Sequence, residues 1–209
     1  MTSDKQTIKK LTNFNSKVSC HYFVDNNGKL IQLVPDLYIA WHAGISHWKK
    51  DKLLNINSIG IEISNPGHEN GYRNFKKNQI ECLIKISKNL IKKYSIKKKN
   101  ILGHSDIAPL RKKDPGEKFP WKFLAKNKIG IWHNLNSKEC KKLRRKTLTI
   151  KDEVIYQYLR KFGYLINTKN NNEIKKIIKN FQRRFRPELL NGKFDRECFE
   201  ILKSLILIK

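Results

Sequence analysis

Acidic residues are scarce in this chain of 209: Asp and Glu number 18 against 45 Lys and Arg, a formal net charge of +27. Such a surface repels cationic partners and draws polyanions: nucleic acid, anionic lipid or an acidic wall polymer. Lys, Ile and Asn are abundant throughout, however. Clusters such as "KKYSIKKKN" (92–100) lack the series of interleaved aromatic rings on which a single-strand binder stacks bases, so they read as solvated surface and nucleic acid is not an expected partner. No apolar run reaches the roughly 18 residues needed to cross a bilayer. The four cysteines, Cys20, Cys82, Cys140 and Cys198, form no C-x-x-C and no dense framework, which excludes a disulfide scaffold and predicts reduced, mostly buried thiols. The opening "MTSDKQTIKKLTNF" has no apolar core of a signal peptide, which by itself points to the cytoplasm.

What is present has the period of an α/β chain. "VSCHYFV" and "KLIQLV" flank "DNNG", a hairpin pattern with Gly28 free to take positive φ. "SIGIEIS" (58–64) alternates, with Ile59, Ile61 and Ile63 on one face and Gly60, Glu62 and Ser64 on the other. From about Phe75 to Tyr94 the period lengthens to that of an amphipathic helix. "NILGH" reads as a short buried strand ending at His104, and "WKFLAKN" as a short helix. The polar, basic stretch 134–148 reads as a linker. Three helical stripes follow it, the first stopped by Gly163, the second by Pro187 and the third capped by Asp195. The expected organisation is an α/β domain over 1–133, a linker over 134–148 and a small all-α domain of three helices over 149–209, which suits a binding module better than a catalyst.

Several side chains could carry chemistry, and each has a plain alternative. Glu62 lies mid-strand beside a glycine that clears space; it reads equally as a solvated strand residue or an ion-pair partner. His104 and Asp114 are separated by a loop stiffened by Pro109, and both suit Zn²⁺; they also read as a capping His and a turn Asp before Pro115. Lys112 falls two residues before Asp114, where it could stabilise an oxyanion, or it is one more lysine of a lysine-rich chain. His42, in "AWHAG", is a ligand contact or a hydrogen-bonded core His. His21 reads as structural, and His47, His68 and His133 sit in loops.

The order of "VSCHYFVDNNGKLIQLVPD", "AWHAG", "SIGIEISNPG", "GHSDIAP" and "RKKDPGEKFPW" resembles the zinc-dependent N-acetylmuramoyl-L-alanine amidases of the AmpD type, related to the peptidoglycan recognition proteins. The resemblance covers about residues 5–132. The tail, through "FQRRFRPELLNGKFD", is similar to the helical peptidoglycan-binding modules that follow such amidases. The resemblance implies a mixed central β-sheet flanked by helices, and hydrolysis of the amide between N-acetylmuramic acid and L-alanine in peptidoglycan or muropeptides. It implies Zn²⁺ held in part by His104 and Asp114, Glu62 as the catalytic acid or base, Lys112 near the scissile carbonyl and His42 at the substrate cleft. A monomer is expected.

The family's third zinc ligand is a His on a strand upstream of the hairpin. Residues 1–17 contain no His, no Cys and no apolar strand. We therefore expect an N-terminally truncated amidase domain, weak zinc binding and poor turnover. The competing readings are a non-catalytic wall binder, or substitution of the ligand by His21. The tail favours the periplasm or envelope, against the cytoplasmic reading of the opening residues.

Overall fold

In the computed structural model, which describes residues 3–208, the chain forms two compact units. One comprises the residues up to 46 together with 52–97; the other comprises 47–51 and the residues from 98 onward. The fold is mixed α/β, with eight α-helices and short strands among the described residues.

The first unit opens on α1 (Asp4–Leu11), whose N-terminus is capped by the Ser3 hydroxyl accepting from the Gln6 N–H. Its inner face brings Leu11 and Ile8 against Cys20, Phe23, Ile31 and Leu33. Strands β1 (Tyr22–Val24), β2 (Leu30–Gln32) and β5 (Ile61–Ile63) form a mixed sheet with β1 in the middle. The hairpin forms as its sequence predicts: β1 and β2 run antiparallel with Phe23 opposite Ile31, and Gly28 takes φ +79°. β1 and β5 run parallel with Phe23 opposite Glu62. Phe23 and Val24 are wholly buried, as a central strand requires. β5 is shorter than the alternation over 58–64 predicts. The Gly60 N–H leaves the ladder and donates to Nδ1 of His21 at 3.0 Å, so regular pairing starts only at Ile61.

Helix α2 (Lys77–Tyr94) covers this sheet with Ile80, Leu83, Ile86 and Leu90. Buried Gln79 stitches it in place, donating to the carbonyls of Asp25 (3.0 Å) and Ser64 (2.8 Å) at the ends of two parallel strands. At the helix's other end the Asp36 carboxylate accepts from the Tyr22 and Tyr94 hydroxyls and the Lys93 ammonium.

The second unit is largely helical. Strand β3 (His47–Trp48) pairs with β4 (Asp51–Lys52). Helices α3 (His104–Ile107), α4 (Trp121–Lys126), α5 (Ser137–Arg144), α6 (Asp152–Phe162), α7 (Asn171–Phe185) and α8 (Arg196–Leu207) follow. The three tail helices end and begin where their punctuation predicts: Gly163 follows α6, and the Asp195 carboxylate caps α8 by accepting from the Cys198 N–H. Leu159, Ile177, Phe181, Phe185 and Leu202 form their interior. Trp48 enters this core, its ring edge-on to Phe162 and Tyr164 and so close to Gly163 that a Cβ there would lie 2.6 Å from the indole.

Two expectations are corrected here. "NILGH" is not a strand. The Ile101 carbonyl accepts from Arg184 and the Gly103 N–H donates to Asp106, so side chains satisfy this backbone in place of a ladder. The stretch 134–148 is not simply a linker. Asn136 caps α5 through the N–H groups of Lys138 and Glu139, Cys140 is buried, and Arg144 grips Glu197 with both ends of its guanidinium (2.6 and 2.9 Å). One small buried residue in two turns leaves almost no apolar stripe for a sequence reading to find.

Burial pushes the Asp36 carboxyl up, but the bonds from Tyr22, Tyr94 and Lys93, with the Lys93 charge, outweigh it and hold the pKa at about 2. A carboxyl depressed on folding contributes stability above its unfolded value of about 4, and the contribution is lost as pH falls toward 2. Asp36→Asn should cost about 1–3 kcal/mol near neutrality. The gap in thermal midpoint between Asp36→Asn and the unsubstituted protein should then close as pH falls from 4 to 2. A gap that is constant over that window would refute the account.

Candidate active site

In the first unit, two motifs form one local structure. The Trp41 backbone is held by Ser19, which donates its N–H to the Trp41 carbonyl (3.1 Å) and accepts the Trp41 N–H on Oγ (2.8 Å). The next residue, His42, lays its ring over Gly60: a Cβ on Gly60 would lie 2.2 Å from His42 Cγ. The space cleared by this glycine therefore seats His42. The imidazole Nε2 approaches the Ser58 carbonyl at 3.4 Å and the ring meets His21 edge-on at 5.5 Å.

His21 is 1% exposed and uses both ring nitrogens. Nδ1 accepts from the Gly60 N–H, so Nε2 carries the proton and donates to the Tyr38 carbonyl at 3.0 Å. A fully engaged core imidazole has no lone pair left for a metal, and the reading of His21 as a substitute ligand is not supported by this geometry.

Glu62 is on β5, one position beyond Ile61, and is exposed. Its carboxylate is felt by Cys20, whose thiol is pushed to about 12 by burial and then by the Glu62 charge. Cys198 is raised by burial to about 12 as well, and Cys140 to about 11. All four cysteines are free, and thiols so shifted are poor nucleophiles.

In the second unit, His104 opens α3 and Asp114 ends the loop that follows. The loop closes on itself where the Ser105 N–H donates to the Asp114 carbonyl at 2.8 Å. His104 Nδ1 and Asp114 Oδ2 stand 3.1 Å apart, and Arg111 Nη2 lies 3.3 Å from His104 Nε2. Desolvation alone would raise the Asp114 carboxyl. The His104 hydrogen bond and the charges of His104 and Lys112 outweigh it and hold the pKa below the usual range.

Bonds of 2.0–2.1 Å to a tetrahedral zinc place neighbouring donor atoms about 3.3 Å apart. The His104–Asp114 pair has that spacing and that donor chemistry, and fits two ligands of one ion. Among the described residues, no group of three His, Cys, Asp or Glu side chains is placed to hold a metal.

Four residues around this segment escape a reading for chemistry. Asp106, in "GHSD", is 1% exposed and forms a salt bridge with Arg184 of α7. The Tyr164 hydroxyl donates to its other oxygen at 3.1 Å. Asn180 of α7 donates to the carbonyls of Pro109 (2.8 Å) and Lys112 (3.0 Å). A signal existed: Asn180 and Arg184 fall on the face of Ile177 and Phe181, and polar side chains inside an apolar stripe imply buried partners.

A family model described as N-acetylmuramoyl-L-alanine amidase matches residues 1–117. The chain is 37% identical to N-acetylmuramoyl-L-alanine amidase AmiD of Escherichia coli (strain K12), over 98% of this chain and 79% of that protein. It is 37% identical to 1,6-anhydro-N-acetylmuramyl-L-alanine amidase AmpD of the same organism, over 50% of this chain and 55% of that one. Among solved structures, the E. coli AmiD complex with anhydro-N-acetylmuramic acid-L-Ala-D-gamma-Glu-L-Lys superposes with a TM-score of 0.86 at 35% identity, covering 98% of this chain and 84% of that one. AmpDh3 from Pseudomonas aeruginosa gives 0.87 at 32% identity, covering 97% and 86%.

Gly60→Ala should displace the His42 ring, since no side-chain shift of a few tenths of an ångström clears a 2.2 Å approach. We expect a loss of about 1–3 kcal/mol in chemical denaturation, with a changed His42 imidazole resonance in NMR. An unmoved His42 resonance would contradict the packing.

Proposed function

This chain belongs to the N-acetylmuramoyl-L-alanine amidase family, and on that premise we propose that it hydrolyses the amide between N-acetylmuramic acid and L-alanine in peptidoglycan or muropeptides. The observation that carries the reading is the His104–Asp114 pair, set at ligand spacing inside the family's matched segment. Two solved relatives hold anhydromuramyl peptides, which supports muropeptides as the substrate class.

The roles are assigned one residue at a time. We assign His104 and Asp114 as residues that would hold Zn²⁺, which would supply Lewis acidity toward the scissile carbonyl. Glu62, an exposed carboxylate on a rigid strand, takes a proton from the attacking water and returns one to the departing alanine nitrogen. Water adds to the carbonyl carbon, the C–N bond breaks, and the products are a lactyl carboxylate and a free amino terminus. Lys112 lends its ammonium to the charge that develops on the carbonyl oxygen. His42, fixed over Gly60, contacts substrate. The helical tail is assigned to peptidoglycan binding.

One observation favours a second reading, a wall-binding protein without turnover: two metal donors are paired, and no group of three stands among the described residues.

Glu62→Gln should lower turnover of a muropeptide by about 100-fold with little change in folded circular dichroism. His104→Ala should do the same and also abolish bound zinc, measured by atomic emission after dialysis. Wild-type turnover in Glu62→Gln would overturn its role. Muropeptide binding by the unsubstituted chain, without turnover and without stoichiometric zinc, would select the second reading.

A further inference from the structure

The segment 101–117 carries three residues of the proposed site yet has only one turn of helix of its own, α3. Its order must come from outside, and the structure shows where from. Within one turn, α7 directs three side chains at it. Asn180 donates its two amide hydrogens to the Pro109 and Lys112 carbonyls. Arg183 donates through Nε to Glu117 Oε2 at 3.1 Å. Arg184 forms the salt bridge with Asp106 and donates to the Ile101 carbonyl at 2.8 Å, its guanidinium stacked 4.1 Å over the Trp121 ring. Asn180, Arg184 and Asp106 are each no more than 2% exposed, so no water replaces these bonds if they are lost.

We propose that α7 is part of the amidase's working machinery: Asn180 and Arg184 are positioning residues that hold the His104–Lys112–Asp114 segment in its reactive shape. The inference rests on the site reading given above and deepens it, for it gives the tail helices a task in the reaction besides wall binding. The anchored atoms make the case. Asn180 holds the Lys112 carbonyl, two residues from Asp114. Arg184 holds Asp106, two residues from His104 and hydrogen-bonded to the Gly103 N–H just before it. A site of this kind tolerates only about 0.5 Å of error in its groups. A loop whose carbonyls are unpartnered in a dry environment would re-form around other bonds.

Asn180→Asp is the sharpest probe. It is isosteric and keeps the oxygen that accepts from Arg183, but it sets a carboxylate oxygen against two carbonyls where an amide donated. Asn180→Ala removes the donor without the repulsion. In the full chain, hydrogen exchange of amides 104–114 should quicken by about ten-fold or more in Asn180→Asp and less in Asn180→Ala, while α6 and α8 keep their protection. On a muropeptide, kcat should fall about ten-fold with KM within about two-fold, the pattern of misplaced groups rather than lost binding. Exchange that rises equally in α6, α8 and the loop would show a merely structural role and overturn the proposal. So would a loosened loop with wild-type kcat, or an unchanged loop. Turnover that survives His104→Ala would instead overturn the site reading, and the exchange result would stand apart from it.

Discussion

Asp106 sets the condition the second unit is built around. A buried carboxylate must have its charge and its lone pairs matched, and removing one partner of such a pair costs about 3–5 kcal/mol, a large share of the roughly 5–15 kcal/mol that holds a domain together. Here Arg184 supplies the charge, Tyr164 a hydroxyl and Gly103 a backbone N–H. These partners come from α7, from the turn after α6 and from the residue before His104. One carboxylate thereby places the start of the His104–Asp114 segment relative to two tail helices. Glu197 does the same among the tail helices themselves, held between Arg144 of α5 and Arg186.

The first unit solves a different problem with uncharged groups. "AWHAG" and "SIGIE" lie in separate segments, but the Gly60 amide, the two imidazoles and the Tyr38 carbonyl bind them into one cluster of hydrogen bonds and edge-on rings. His21 uses its tautomer to bridge a backbone donor and a backbone acceptor, which fixes the proton on Nε2. Gly60 is required twice over: it gives its N–H to His21 and leaves room for His42.

Much of this was legible in the chain. The hairpin, α2 and the three tail helices follow from period and punctuation, because their residues are sorted by local rules. His104 and Asp114, which the structure brings within 3.1 Å, stood out only through motif resemblance, since by residue chemistry alone they also read as a capping His and a turn Asp. What escaped had non-local causes. "NILGH" has the apolar content of a strand, but its backbone is satisfied by Arg184, 83 residues away from Ile101. Helix α5 is polar because its inward contacts are one thiol and one ion pair. Asp106 carried no local signal, because its partner is an arginine of α7, 78 residues on, inside an apolar stripe.

The entry of Trp48 into the helical core bears on how such a protein could be taken apart. The indole belongs by position to the front of the chain, yet it is 3% exposed among Phe162, Gly163 and Tyr164 at the back, and the neighbouring Lys49 N–H donates to the Gly163 carbonyl at 2.9 Å. A gene cut anywhere in 134–148 would sever a core and not a tether. The piece before the cut would carry a bare indole and an Asp106 without its arginine; the piece after it would carry a socket. An insertion or deletion in 134–148 would therefore be felt on both sides of a shared core, and not by a spacer alone.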